Sequence, residues 1–157
     1  MPGALHMDFG HDDLTRNFGR IWPVHVEHFT ELLIALRRQF DGDLDRMLVL
    51  AVIGLRTLPA RRVRELSYAD FEAGLTVEEP SPINVQSIAE TTGIPRETVR
   101  RKVQALEQAG WIERQDGGYL AVSAQARQDL SPGTEATFRY LLAVGAACVE
   151  AAGRGRS

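Results

Sequence analysis

Between Arg96 and Gln104 the chain places Arg96, Glu97, Thr98, Arg100, Arg101, Lys102 and Gln104 within nine positions. On a helix of 3.6 residues per turn, Val99, Val103 and Leu106 fall on one apolar side, and Arg96, Glu97, Arg100, Arg101 and Gln104 lie largely off it. The residue types suit base-edge chemistry. A guanidinium fork such as that of Arg96 or Arg101 matches O6 and N7 of guanine, and a carboxylate such as Glu97 accepts from cytosine N4. Arg100 fits a phosphate contact better. The bland alternative is a helical hairpin with a solvated charged face, because a charge cluster alone is usually no more than that.

The elements that would position these groups argue against that alternative. Asn84 is a good N-cap, with Ile83 and Ile88 at the N′ and N4 positions of a hydrophobic staple. Ala89 is small where two helices must cross closely, and Gly93 supplies the positive φ that ends the first helix. Downstream, Trp111-Ile112-Glu113-Arg114 and Tyr119-Leu120-Ala121-Val122 flank Gln115-Asp116-Gly117-Gly118, a β-hairpin pattern. Helix, turn, helix, hairpin is the order of a winged helix, with a recognition helix at about 95–109 and a wing at about 111–122. In the wing, Arg114 is the one basic residue, placed for a phosphate or a narrow minor groove. Its alternative is a surface pair with Glu113 or Asp116.

Arg96-Glu97-Thr98-Val99 with Arg101 resembles the recognition helix of the cyclic-AMP receptor and fumarate-nitrate regulator family. The resemblance implies that the two arginines and the glutamate read base edges. The stretch from Thr98 to Ile112 is similar to the MarR and GntR winged helices as well. The likeness covers about residues 83–122. Pro95 stands where relatives usually carry a serine or threonine cap, a place proline tolerates as the first helical residue. Nothing upstream resembles a cyclic-nucleotide-binding barrel, so that effector does not carry over.

Composition bounds the rest. A chain of 157 residues with 44% hydrophobic and 25% charged residues is one ordinary globular domain's worth. The formal charge of −3 excludes a basic nucleic-acid coat, so any DNA contact must use a local basic face, which Arg96 to Lys102 supplies. Cys148 is the single cysteine, which rules out an internal disulfide and a cysteine-based zinc site; its small apolar neighbours predict a buried structural thiol. No secretory signal and no run near the roughly 20 apolar residues of a membrane span is present, so a cytoplasmic protein is expected.

The expected fold is mainly α with a small β-hairpin wing: a winged helix-turn-helix with flanking N- and C-terminal helices. Residues 1–20 read as a mobile segment and 21–42 as an N-terminal helix with an apolar stripe from Trp22 to Phe40. Residues 43–130 read as the winged-helix domain, opening with a helix over Leu44 to Leu58. Within 59–82 the pattern predicts a short helix in Arg61 to Phe71 and a short strand around Leu75 to Val77; the arginines there are as compatible with a solvated face as with phosphates. Residues 131–157 read as a C-terminal helix capped by Thr134 after a Ser131-Pro132-Gly133 stop, with Phe138, Leu141, Leu142, Gly145, Cys148 and Val149 on one side. Those two stripes either pack within the monomer or join two copies, and a homodimer is the reading adopted.

An enzyme is not expected. His25 and His28, near Glu27 and Glu31, lack the HExxH zinc pattern, and no phosphate-binding glycine loop or nucleophile elbow occurs. No motif calls for a cofactor or a metal, and none identifies a small-molecule effector. The expected partner is double-stranded DNA; the competing reading is a winged helix used as a protein-interaction or scaffold module. Three arginines and a lysine on the exposed helix face favour DNA, since a protein contact would show exposed aromatic and aliphatic groups there.

Overall fold

The computed structural model describes residues 9–57, 67–72 and 83–154. The strand expected around 75–77 and the arginines at 61, 62 and 64 lie outside the described residues. So do positions 1–8 of the segment expected to be mobile. The described elements run α1 (His11–Arg16), α2 (Phe18–Gln39), α3 (Leu44–Thr57), α4 (Tyr68–Glu72), α5 (Val85–Thr92), α6 (Arg96–Gln108), β1 (Ile112–Arg114), β2 (Leu120–Val122), α7 (Ala124–Asp129) and α8 (Ser131–Arg154). The chain divides into two compact units, 1–35 with 132–157, and 36–131. No helix among the described residues is long and apolar enough to cross a membrane.

Residues 36–131 form a winged helix-turn-helix. Its core gathers Phe40, Val49, Leu50 and Ile53 with Ile83, Ile88, Val99, Val103, Leu106, Ile112 and Leu120. Ile53, Ile88, Val99, Val103 and Leu106 have no exposed surface at all. The strands pair antiparallel as Ile112 with Val122, Glu113 with Ala121 and Arg114 with Leu120. The Leu120 amide also donates to the Ile83 carbonyl at 3.0 Å, tying the hairpin to the residue that precedes α5. At the hairpin base, Trp111 donates from its indole to Asp129 at 2.9 Å, and the Arg46 guanidinium lies 5.8 Å from the centroids of both Phe40 and Trp111.

The helix boundaries follow from local chemistry. Asn84 caps α5 by accepting from the Ser87 amide, and Gly93 ends it at φ +73 while its N–H bonds to Ala89. Gly110, at φ +74, closes α6: its amide donates to Glu107 and that of Trp111 to Leu106, a Schellman motif. Pro95 is the N-cap of α6, and Arg96 is its first helical residue. Ser67 and Asp70 cap α4 reciprocally, the Asp70 amide donating to the Ser67 hydroxyl and that hydroxyl to the Asp70 carboxylate.

Residues 9–35 and 132–154 contain α1, α2 to Ala35, and α8. Three expectations are corrected here. Part of the segment read as mobile is helical: α1 lies inside it, and α2 begins at Phe18, with Pro23 in its interior. Three scattered glycines and no hydrophobic period hid a helix too short and the exposed first turn of another. The Ser131-Pro132-Gly133 run does not precede α8; it is its first turn, where proline lacks only an N–H that would have no partner anyway. The apolar stripes also differ from a buried pattern. Leu141, Leu142 and Val149 are exposed, Cys148 is half-buried, and the buried positions of α8 are Gly133, Ala136 and Ala151.

His25 belongs to a run of stacked rings. Phe18 stacks on Trp22 at 5.1 Å, His25 lies 5.1 Å from Trp22 and 5.3 Å from Phe29, and its Nδ1 bonds the Tyr140 hydroxyl at 3.0 Å. His28 pairs with Glu31 at 3.2 Å. The two histidines therefore serve packing and a surface pair.

The turn into α6 gives the first prediction. No atom lies within 4 Å of a Cβ placed on Gly93, so Gly93→Ala introduces backbone strain without a clash. Thermal or urea unfolding should register a loss of about 1–2 kcal/mol, the penalty of a left-handed conformation for an L-residue.

Candidate nucleic-acid interface

Helix α6 carries the candidate site because one side of it is sealed. Val99, Val103 and Leu106 face α3 and α5, so spacing alone turns Arg96, Glu97, Arg100, Arg101 and Gln104 outward, and all five are exposed. Thr98 is half-buried at the margin, its hydroxyl 3.4 Å from an Arg101 guanidinium nitrogen that donates to it. The residues singled out from α6 thus share one surface. Arg114 stands apart on β1.

Ion pairs organise that surface. Arg100 grips Glu97 with both forks, Nη2 at 2.6 Å from Oε1 and Nε at 2.9 Å from Oε2. The Arg100 hydrogen bond, opposed by slight desolvation and helped by the charges of Arg100 and Arg101, holds the Glu97 carboxyl below its usual range. Arg114 is paired neither with Glu113 nor with Asp116. Its Nε donates to Glu107 at 2.6 Å and its Nη2 to the same carboxylate at 3.3 Å, so the wing strand is tied to the last turn of α6.

Lys102 requires a correction. Counted with the basic cluster from its position in sequence, it points away from the exposed arginine surface and meets Asp43 at 2.7 Å. Asp43 precedes α3 and also accepts from the Arg46 amide at 2.9 Å, so one carboxylate both caps α3 and holds α6. Burial works to raise the Asp43 pKa. The Lys102 hydrogen bond, the Arg46 amide and the two nearby cations outweigh it, and the carboxyl lies below the ordinary 3.8. Neither Asp43 nor Glu107 was singled out in the sequence. Lys102 and Asp43 are 59 positions apart, and no periodic signal links them.

Residues 60–127 match the family model of the Crp-like helix-turn-helix domain. No curated protein and no solved structure matched the chain. The matched segment includes α5, α6 and the hairpin; α3, which supplies Val49, Leu50 and Ile53 to the same core, precedes it.

The Asp43–Lys102 pair predicts a pH dependence. A carboxyl held down in the folded state contributes stability above its unfolded value, and that contribution is lost as the pH falls through the lowered one. Asp43→Asn keeps a good cap for α3 but removes the charge. The variant should be about 1 kcal/mol less stable than wild type at neutral pH. The gap should close as the pH drops below 3.8, which denaturant titrations across that range would measure. An unchanged gap in acid would rule out the pair as its source.

An exposed basic surface on a helix-turn-helix second helix, a hairpin wing tied to that helix, and the family match converge on one statement: residues 60–127 match a Crp-like helix-turn-helix domain, which supports a DNA-binding transcription regulator.

Proposed function

We propose that the protein binds double-stranded DNA in a sequence-specific manner, with α6 in the major groove and the hairpin against the flanking backbone. The observation that carries this reading is the division of α6 into a fully sealed side and an opposite side bearing Arg96, Glu97, Arg100, Arg101 and Gln104. Helix-turn-helix proteins contact base edges from the N-terminal part of the second helix, where these groups lie. Arg96 and Arg101 take guanine, Glu97 takes cytosine N4, and Thr98 and Gln104 flank them. A protein-interaction module is disfavoured by the same surface, which shows charge where an interface core would show aromatic and aliphatic groups.

Arg114 takes the backbone role. Glu107 engages its Nε and Nη2, which leaves Nη1 for a phosphate beside the wing. Such a contact sets position and affinity without reading sequence. Arg114→Ala should lower specific and non-specific binding together and reduce the salt slope by about one unit.

The functional form is a homodimer on a pseudo-palindromic site. Nine of the thirteen exposed large hydrophobic side chains among the described residues lie on α1, α2 and α8, including Phe18, Trp22, Val26, Phe29, Leu141, Leu142 and Val149. Covering each is worth on the order of 1–3 kcal/mol. A second copy offers the same surface back, as two-fold symmetry requires.

Two measurements test these statements. Arg101→Ala should weaken a cognate duplex by about 1–3 kcal/mol and relax preference at one base pair; full affinity with unchanged preference would refute the docking. Leu142 is 73% exposed in the single chain, so Leu142→Glu leaves each protomer folded and should dissociate the dimer. Wild-type protein that sediments as a monomer at high micromolar concentration would end the dimer reading.

A further inference from the structure

On α6, Glu97 is the acidic side chain of the first turn, set among Arg96, Arg100 and Arg101. A bare carboxylate brought against DNA is repelled by the phosphates. Here it is not bare: Arg100, one turn on, closes a two-point fork on both of its oxygens at 2.6 and 2.9 Å. We propose that Arg100 is a positioning residue, which holds the Glu97 carboxylate in place for a base edge and links it to a neighbouring DNA phosphate.

The donor and acceptor inventory allows all three contacts at once. A carboxylate has about four lone-pair sites, and the fork occupies one on each oxygen. The remaining sites are free to accept from an amino group in the groove. A guanidinium has five N–H donors and the fork uses two, leaving Nη1 for a phosphate oxygen. Charge follows the same logic, since the paired side chains carry no net charge into the groove. The hydrogen bond also keeps Glu97 ionised, so the group presented to the base is acceptor only. Both side chains are half-exposed or more, 53% for Arg100 and 65% for Glu97, so the pair adds little to folding stability. Its effect appears on DNA.

This inference rests on the groove docking proposed above, and the experiment separates the two. Discrimination is measured as the ratio of affinities for the preferred duplex and for one changed at a single base pair, for wild type, Glu97→Ala, Arg100→Ala, Arg100→Lys and the double Ala variant. Glu97→Ala should abolish a preference of about fivefold or more at one base pair. Arg100→Ala should abolish the preference at that same base pair and also weaken every duplex. Arg100→Lys restores the charge but not the planar fork, so overall affinity should return while the preference does not. The double variant should discriminate no worse than Glu97→Ala alone, since the two act as one unit. Arg100→Ala that weakens all duplexes alike and keeps the preference removed by Glu97→Ala would overturn the positioning role while leaving the docking intact. Glu97→Ala without effect at any base pair would overturn both.

Discussion

Helix α6 can present a charged surface to solvent only because it surrenders its opposite side completely. Val99, Val103 and Leu106 are sealed against Ile53, Ile83 and Ile88, and their spacing of four and three fixes which residues remain outside. A rotation of α6 by one position would bury an arginine and expose a valine, an exchange that desolvation of a charge forbids. The flanking devices serve this single constraint. Gly93 brings the chain into α6, Gly110 turns it out toward the hairpin, and Asp43 holds Lys102 from the side of α3.

The electrostatics of the surface are unusual for an acidic chain with a formal charge of −3. Three of the cations at or near it have a carboxylate partner: Lys102 with Asp43, Arg100 with Glu97, and Arg114 with Glu107. Arg96 and Arg101 have no carboxylate at ion-pair distance among the described residues. Non-specific affinity for DNA grows with the number of free cations that replace counterions. Carboxylate pairing lowers the net positive charge of the surface and with it that term, although Arg100 and Arg114 each keep N–H donors that their partners do not use.

The helix-turn-helix was legible because its signals are local. The Asn84 cap, the Gly93 turn and the apolar spacing of α6 each operate within one or two turns of the chain. The Asp-Gly-Gly hairpin is equally local, and its partners are fixed by the turn. The features that differ from the sequence pattern depend on residues distant in sequence or on side-chain direction. Lys102 adjoins the arginines in sequence, but its place on the helix turns it toward Asp43. Arg114 has two acidic neighbours in sequence, yet its strand runs back alongside Glu107. Proline and glycine in Ser131-Pro132-Gly133 read as a stop, but the first turn of a helix has no need of the amide that proline lacks. Cys148 looked buried from its small neighbours, whereas the side of α8 that carries it is partly open.

Selection of binding sites from a pool of random duplexes tests sequence-specific docking of α6, because it asks the protein for its sequence without assuming one. Sequence-specific docking of α6 by a symmetric dimer would return a motif of two inverted half-sites, with centres about 10 base pairs or a multiple apart, each containing the G·C pairs that Arg96, Glu97 and Arg101 would read. A pool that shows no enrichment over repeated rounds, from protein that still binds duplex DNA, would contradict it.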